Sequence, residues 1–250
     1  MTTLTASPDR AALPQRAVLW DLDGTLVDSE PLHRRTLYAV LAEAGCQHPP
    51  DLDALLVGLS IDKVHALLRE RFGLTLALDD FARRRAALFV AQARTVPARP
   101  GAVEIVAALS ARGVPQAIVS NSDGVIVRTN VLAAGLDRYG IPAFSRDDVI
   151  NPKPHPEPYL SAARTLGVEA GQCVVVEDSL TGVLAGIAAG CPVLAWADAG
   201  STLVFPLAAR RYESAAAVRA ALDAFLAAGI PDAAPSPGTA DLVRTKSSGT

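Results

Sequence analysis

Short apolar runs alternate with longer amphipathic stretches over the second half of the chain. The pattern predicts strands at 115–120, 173–177 and 192–196, and helices at 102–112, 123–134, from Pro156 and at 180–189. An earlier apolar run at 17–20 has the same strand character. Apolar strands that alternate with helices are typical of a parallel sheet covered by helices on both faces. The pattern therefore predicts an α/β fold.

The stretch between the first strand and Pro100 has a different pattern, with helical spacing and no strong strand signal. Apolar and small side chains recur every three or four residues up to Gly45, at Leu32, Thr36, Ala39 and Val40. Residues 61–72 repeat this spacing and end at Gly73, and 81–93 form a third amphipathic stretch with Arg83, Arg84 and Arg85 across its polar side. A helical insert of roughly 70 residues, the size of a small domain, is predicted here.

These patterns divide the chain into four kinds of segment. We predict a core formed by 16–28 and 99–230, a helical cap at 29–98, and ends at 1–15 and 231–250 without fixed structure. The last segment is rich in Pro, Ser, Gly and Thr, a composition that cannot bury a core.

Composition narrows the possible partners and compartment. The 250 residues carry a net charge of −3 with no basic block, which argues against nucleic acid and anionic membrane surfaces as partners. Three cysteines have no metal-binding spacing, and an odd number leaves one unpaired. Reduced thiols and the lack of a signal peptide predict a cytoplasmic protein. The sequence leaves the oligomeric state open, and we favour a monomer.

Two carboxylates follow the first strand directly. Asp21 and Asp23 are separated by one residue and are followed by Gly24 and Thr25. Strand alternation would send both side chains to one face. Such a pair repels itself unless a cation or substrate requires it, so the spacing indicates one acid as nucleophile and the other as proton donor and acceptor.

Polar residues also follow the later strands, where the ligand site of a parallel sheet is expected. Ser120, Asn121 and Ser122 could hold a phosphate through a hydroxyl and backbone N–H groups, or Ser122 or Asp123 could cap the next helix. Lys153 lies in a segment with proline at every second position, which suits either a lysine held against an anion or a rigid surface loop.

Glu177 and Asp178 add two more acids at a strand end, just before a helix. Capping by Asp178 or Ser179 explains one acid but not both. We expect four acids at one edge of the sheet, and a divalent cation such as Mg²⁺ would relieve their repulsion.

The order Asp-x-Asp, Ser, Lys, Glu-Asp resembles the four motifs of the haloacid dehalogenase superfamily, over about residues 17–228. The insert resembles the cap of the subgroup that includes β-phosphoglucomutase and many sugar-phosphate phosphatases. The resemblance implies a Rossmann-like core with an inserted helical cap, Asp21 as nucleophile and Asp23 as general acid/base. It also implies phosphoryl contacts from Ser120, Asn121 and Lys153, and Mg²⁺ held by Asp21, the backbone carbonyl of Asp23, and Asp178, with Glu177 close by.

The expected activity is Mg²⁺-dependent hydrolysis of a small phosphorylated metabolite, a sugar phosphate in particular, through an aspartyl-phosphate. A phosphomutase is the first alternative. In β-phosphoglucomutase a Gly-x-x-Arg pattern grips the second phosphate, but the nearest segment here, 58–61, ends in Ile61. Arg34, Arg35 or Lys63 could substitute, or could form an ordinary solvated helix face. A non-catalytic sugar-phosphate-binding regulator is a further alternative, although none of the four motifs is lost.

Overall fold

A computed structural model of the chain describes residues 16–56, 59, 61–93 and 96–228. The predicted leader, 1–15, and the predicted tail, 231–250, lie outside the described residues. Of the helices that the structure describes, none combines the length and the apolar character that a membrane crossing requires.

Six parallel strands form one sheet in the order β3-β2-β1-β4-β5-β6. The strands are β1 (Ala17–Trp20), β2 (Gln116–Val119), β3 (Ala143–Phe144), β4 (Cys173–Glu177), β5 (Val193–Trp196) and β6 (Ala209–Tyr212). The predicted α/β fold with a Rossmann-like parallel sheet is confirmed. The sequence pattern did not reveal the two edge strands, β3 and β6.

Strand β1 lies in the middle of this sheet. Leu19 pairs with Ala117 of β2 on one side and with Val175 of β4 on the other. The strand order reverses direction at β1, and ligands of such sheets bind beyond the carboxyl ends of the strands at this point. The residues that follow β1, β2 and β4 therefore meet at one edge of the sheet.

Alternate residues of β1 pack into different apolar clusters, which form the two helix-covered faces. Val18 and Trp20 belong to one cluster, and Ala17 and Leu19 belong to the other. The helices of the core are α5 (Ala102–Ala111), α6 (Gly124–Ala133), α7 (Glu157–Leu166), α8 (Leu180–Ala188) and α9 (Ala215–Ala228). Side chains from α5, α6 and α9 pack in the first cluster, and side chains from α7 and α8 pack in the second.

The described residues form four helices between β1 and α5: α1 (Glu30–Glu43), α2 (Leu52–Leu56), α3 (Ile61–Phe72) and α4 (Leu78–Gln92). The sequence pattern predicted α1, α3 and α4 but not the short α2. The four helices share an apolar cluster of their own, with Val40, Leu68 and Phe81 at its centre. Phe89 at the other end of α4 packs in the core cluster instead. We call these helices the helical segment; its status as a separate cap domain stays a prediction.

The chain enters and leaves the helical segment through two passages that are hydrogen-bonded to each other. The amide of Asp28 donates to the carbonyl of Pro97, and the amide of Arg99 donates to the carbonyl of Leu26, both at 2.9 Å. We call these four residues the neck. It places the start of α1 next to the residues that follow β1.

Candidate active site

Lys153 lies at the centre of the site and is almost completely buried. Its ammonium Nζ donates to Asp21 Oδ1 and to Glu177 Oε1, both at 2.7 Å, and to the carbonyl of Val119 at 2.8 Å. The surface-loop interpretation of this lysine is therefore wrong. One ammonium joins residues at the carboxyl ends of β1, β2 and β4.

Asn121 holds the backbone of Lys153 from both sides. Its side-chain Nδ2 donates to the Lys153 carbonyl at 3.0 Å, and its Oδ1 accepts from the Lys153 amide at 2.9 Å. The backbone of Lys153 thus takes up Oδ1 and one of the two Nδ2 hydrogens of Asn121. The side chain of Asn121 therefore positions Lys153, and phosphate contact by Asn121 stays a prediction.

Glu177 is fully buried, and protein donors occupy both of its carboxylate oxygens. Oε1 accepts from Lys153 and from the Tyr159 hydroxyl at 2.9 Å, while Oε2 accepts from the Ser179 hydroxyl at 2.9 Å. A Cβ on Gly182 would lie 1.5 Å from Oε1, so only glycine leaves room for this carboxylate. Glu177 thus fixes the lysine and the start of α8 at the same time.

Asp21, Glu177 and Asp178 form an acidic cluster, with one carboxylate oxygen of each within 4.8 Å of the others. Gly24 adopts a φ of +87°, and a Cβ there would lie 2.2 Å from Asp178 Oδ2. Among the described residues this cluster contains three acids instead of the four expected, because the Asp23 carboxylate is not part of it.

The charge balance of the cluster fits a divalent cation. Asp21 Oδ2 is buried without a hydrogen-bond partner among the described residues. Burial, reinforced by the charge of Glu177, raises the pKa of Asp21 well above its usual range and the pKa of Asp178 to about 7. Lys153 offsets only part of this charge. Carboxylate oxygens in a crowded site are the ligands that Mg²⁺ prefers.

Asp23 has a different set of partners. Its Oδ1 accepts from the Ser29 hydroxyl at 2.6 Å and from Asn130 Nδ2 at 2.8 Å. Its Oδ2 accepts from the hydroxyls of Ser120 at 2.9 Å and Ser122 at 2.8 Å. Strand β1 ends at Trp20, before the two aspartates, so the expectation that strand alternation sends both side chains to one face stays a prediction.

His33 completes the surroundings of Asp23. Its Nε2 lies 3.5 Å from Asp23 Oδ1, and its ring packs against the Phe89 ring with centroids 4.5 Å apart. Burial alone would raise the pKa of Asp23, but His33 and the serine hydrogen bonds outweigh it and lower that pKa below its usual range. The site therefore favours the ionised form of Asp23.

Helix capping does not account for the polar residues at the strand ends. Ser179 caps α8 by accepting from the Gly182 amide at 3.0 Å, so Asp178 is not the cap. Asp123 occupies the cap position of α6 without a side-chain hydrogen bond to the helix. Ser122 donates to Asp23 instead, which leaves capping as the explanation for Ser179 alone.

Four contributors to the site, Tyr159, Ser29, His33 and Asn130, were not predicted. Tyr159 and Asn130 are fully buried on helices α7 and α6, where a polar residue in an apolar stretch is the only local signal. Asn130 Oδ1 has no hydrogen-bond partner among the described residues, so the amide is held by its bond to Asp23 alone.

Comparison with protein families shows a relationship for most of the chain. Residues 15–190 match the haloacid dehalogenase-like hydrolase family. This range contains every residue of the site described above.

Individual relatives are phosphatases or longer proteins that contain a similar region. Hexitol phosphatase A of Escherichia coli is 33% identical over 181 residues, which cover 72% of this chain and 82% of that protein. Two relatives from Arabidopsis thaliana are longer. The chain spans 17% of the chloroplastic protein SUPPRESSOR OF QUENCHING 1, at 34% identity, and 47% of the bifunctional riboflavin kinase/FMN phosphatase, at 32% identity.

A solved structure supports the same relationship. A hydrolase of this family from Deinococcus radiodurans, crystallised with bound phosphate and sodium, has a TM-score of 0.65 and 36% sequence identity to this chain. The similarity covers 86% of this chain and 98% of that one.

Proposed function

We propose that this chain, which belongs to the haloacid dehalogenase-like hydrolase family, is a phosphoric monoester hydrolase, a Mg²⁺-dependent phosphatase of small phosphorylated metabolites. The observation that carries this proposal is the pair of aspartates, Asp21 beside a lysine and two acids, and Asp23 among neutral donors. Each environment suits one of the two roles that phosphoester hydrolysis through a carboxylate requires.

Asp21 is the proposed nucleophile. Its carboxylate attacks phosphorus, the bond from phosphorus to the leaving oxygen breaks, and an aspartyl-phosphate forms. Lys153 holds Oδ1 of this carboxylate and presents its positive charge to the incoming dianion. Water then attacks the phosphorus, the bond to Asp21 breaks, and inorganic phosphate leaves.

Asp23 is the proposed general acid/base. The free site favours its ionised form, so the approaching phosphoryl dianion must first raise its pKa until it takes up a proton from solvent. It then donates this proton to the leaving oxygen in the first step and takes a proton from the attacking water in the second. The hydroxyls of Ser120 and Ser122 fix one of its oxygens, and Asn130 helps to fix the other. Hydrogen bonds to both oxygens hold the Asp23 carboxylate in one orientation toward the reacting atoms.

Asp21, Asp178 and the backbone carbonyl of Asp23 would hold Mg²⁺, with Glu177 next to them. When bound, the ion offsets negative charge on the phosphoryl oxygens. Glu177 is the least available of these acids, because both of its oxygens already accept hydrogen bonds.

Metal removal tests the proposal directly. Chelation with EDTA followed by desalting should abolish hydrolysis of an aryl phosphate, and adding Mg²⁺ should restore it. Full activity in metal-free protein would contradict the proposal. Mass spectrometry of protein quenched during turnover should locate the phosphoryl group on Asp21.

The phosphomutase alternative depends on a ligand for a second phosphate. Gly58 and Ser60 of the segment compared with Gly-x-x-Arg lie outside the described residues. Of the possible substitutes, Arg34 lies 3.4 Å from Asp53 in an ion pair on the surface of the helical segment. That pairing engages Arg34 with a partner other than a second phosphate, and it leaves Arg35 and Lys63 as candidates.

Product analysis separates the two activities. The enzyme is incubated with a sugar 1-phosphate, Mg²⁺ and a bisphosphate primer, and the products are separated. Release of inorganic phosphate is expected. Efficient conversion to the 6-phosphate with little phosphate released would establish the mutase, and Arg34, Arg35 and Lys63 would then be the positions to substitute.

A further inference from the structure

Three consecutive arginines on α4 have different surroundings. Arg83 pairs with Asp80 at 2.6 Å, and Arg84 pairs with Glu43 at 3.0 Å, both on the exposed surface of the helical segment. Arg85 forms no ion pair among the described residues, and its Nε is buried without a hydrogen-bond partner. The expectation that all three lie across the polar side of the helix is therefore wrong for Arg85.

Arg85 lies on the face of α4 that turns toward the core. Phe81, Arg85 and Phe89 are spaced four residues apart, which places them on one side of a helix. Phe81 packs in the helical segment with the Arg85 guanidinium 5.6 Å from its ring, and Phe89 packs against His33. His33 in turn contacts Asp23.

Helix α4 packs against α1 and against α6, the helix that carries Asn130. Burial lowers the pKa of Arg85, and two acids oppose this shift: Asp123, which follows Ser122, and Glu30, which follows Ser29. Both serines donate hydrogen bonds to Asp23. Through the contact of Phe89 with His33, and through α6, this face of α4 thus lies on the Asp23 side of the site.

Neither acid neutralises Arg85 by direct contact. Asp123 is shared with Arg146, which lies 3.7 Å from it and also pairs with Asp62 of α3 at 2.9 Å. A guanidinium with a shielded, unpaired N–H is costly to bury, and an anionic partner offsets that cost. Arg85 is therefore a cation with unused donor capacity.

We propose that Arg85 binds an anionic group, a carboxylate or a second phosphate, at the far end of the substrate. The assignment rests on the proposed function, since Asp23 protonates the leaving oxygen and the rest of the leaving group must extend on that side. A guanidinium matches both oxygens of a carboxylate or phosphate with two parallel donors. The preferred substrate is then a phosphomonoester with a second negative charge.

Two matched ligands test the charge requirement. Glucitol 6-phosphate and 6-phosphogluconate have the same carbon chain, and differ only in a CH₂OH or a carboxylate at carbon 1. We expect kcat/KM to be higher for the carboxylate. A sugar bisphosphate forms the third arm and tells whether the site prefers carboxylate or phosphate.

Arg85→Gln should lower kcat/KM for the two doubly anionic ligands by about 10- to 100-fold and change glucitol 6-phosphate by less than about threefold. Arg85→Lys should keep part of the preference, because it retains the charge without the planar fork. Arg83→Gln is the matched control and should leave all three ligands unchanged. Equal losses on all ligands, or a wild-type preference for the polyol, would overturn the assignment.

Binding without turnover separates this assignment from the proposed function. In an Asp21→Asn background with Mg²⁺, calorimetry should give a lower Kd for 6-phosphogluconate than for glucitol 6-phosphate, and Arg85→Gln should remove the difference. Turnover by Asp21→Asn would count against the proposed nucleophile alone. Unchanged relative affinity in Arg85→Gln would count against Arg85 alone.

Discussion

The site has two sides that meet at the end of β1. On the Asp21 side, a buried ammonium and two further carboxylates surround the acid. On the Asp23 side, the donors are mainly neutral hydroxyl and amide groups. Burial raises the pKa of Asp21, whereas the contacts around Asp23 outweigh burial and lower its pKa. Two identical residues in one turn thus acquire different chemistry from their neighbours alone.

The difference separates two tasks. A nucleophile that must meet an anionic phosphoryl group needs positive charge nearby, and charged partners supply it at a high desolvation cost. A group that passes protons needs a fixed direction, and neutral donors supply that at a lower cost. The comparison predicts that substitutions on the two sides fail in different ways.

Loss of the nucleophile is the largest effect expected. Asp21→Asn should reduce turnover by about 10⁴-fold or more and prevent any phosphoenzyme from forming. Rapid quench and mass spectrometry measure both. Normal turnover by this variant would contradict the different roles assigned to the two aspartates, because Asp21 would then not be the nucleophile.

Loss of the proton carrier should be the next largest effect. Asp23→Asn should lower turnover by about 10²- to 10⁴-fold. An aryl leaving group needs little protonation, so with an aryl phosphate this variant should lose less in phosphoenzyme formation than in its breakdown. Single-turnover kinetics separate the two steps, and equal losses in both would contradict the assigned role.

Removal of the ammonium tests the charged side through stability. Lys153→Met leaves Asp21 and Glu177 buried without their cation, and should cost about 3–5 kcal/mol in the free energy of unfolding. Urea denaturation in the absence of divalent metal measures it. Lys63→Met removes an exposed lysine and should change stability by less than about 0.5 kcal/mol. Equal stabilities of the two variants would show that the ammonium does not compensate the buried acids.

The smallest effect expected is on the neutral side. Asn130→Leu removes one donor to Asp23 and should reduce kcat about tenfold, with a greater loss for alkyl than for aryl leaving groups. Thr129→Val is the control, because the half-buried Thr129 hydroxyl donates to the Val125 carbonyl of the same helix and not to Asp23. If Asn130 acts through Asp23, the loss should disappear in the Asp23→Asn background. An additive double variant would indicate a structural role only.

The parts of the fold that the sequence predicted are those with strong local patterns. Central strands are continuous apolar runs, and β2, β4 and β5 were each found to within two residues. The sequence did not predict the edge strands. Strand β3 has only two residues, and β6 has the sequence Ala-Arg-Arg-Tyr, in which arginines interrupt the apolar pattern.

The residues of the site also fall into those that the sequence indicates and those that it does not. Asp21, Asp23, Ser120, Lys153 and Asp178 follow strands or lie in a stiff segment, and their order resembles known motifs, so the sequence alone indicates them. Asn130, Tyr159 and Arg85 lie within helices, and their roles depend on which neighbours the fold brings against them. Spacing within a helix gives the face of a residue but not its partner.

The neck connects the helical segment to the turn that follows β1. Two backbone hydrogen bonds hold the two passages side by side, and displacing one passage along the other would break both bonds. The Arg99 guanidinium also donates to the carbonyls of Gly24 at 2.7 Å and Trp196 at 2.9 Å. Arg99 therefore ties the chain that leaves the helical segment to the turn that carries the two aspartates and to the end of β5.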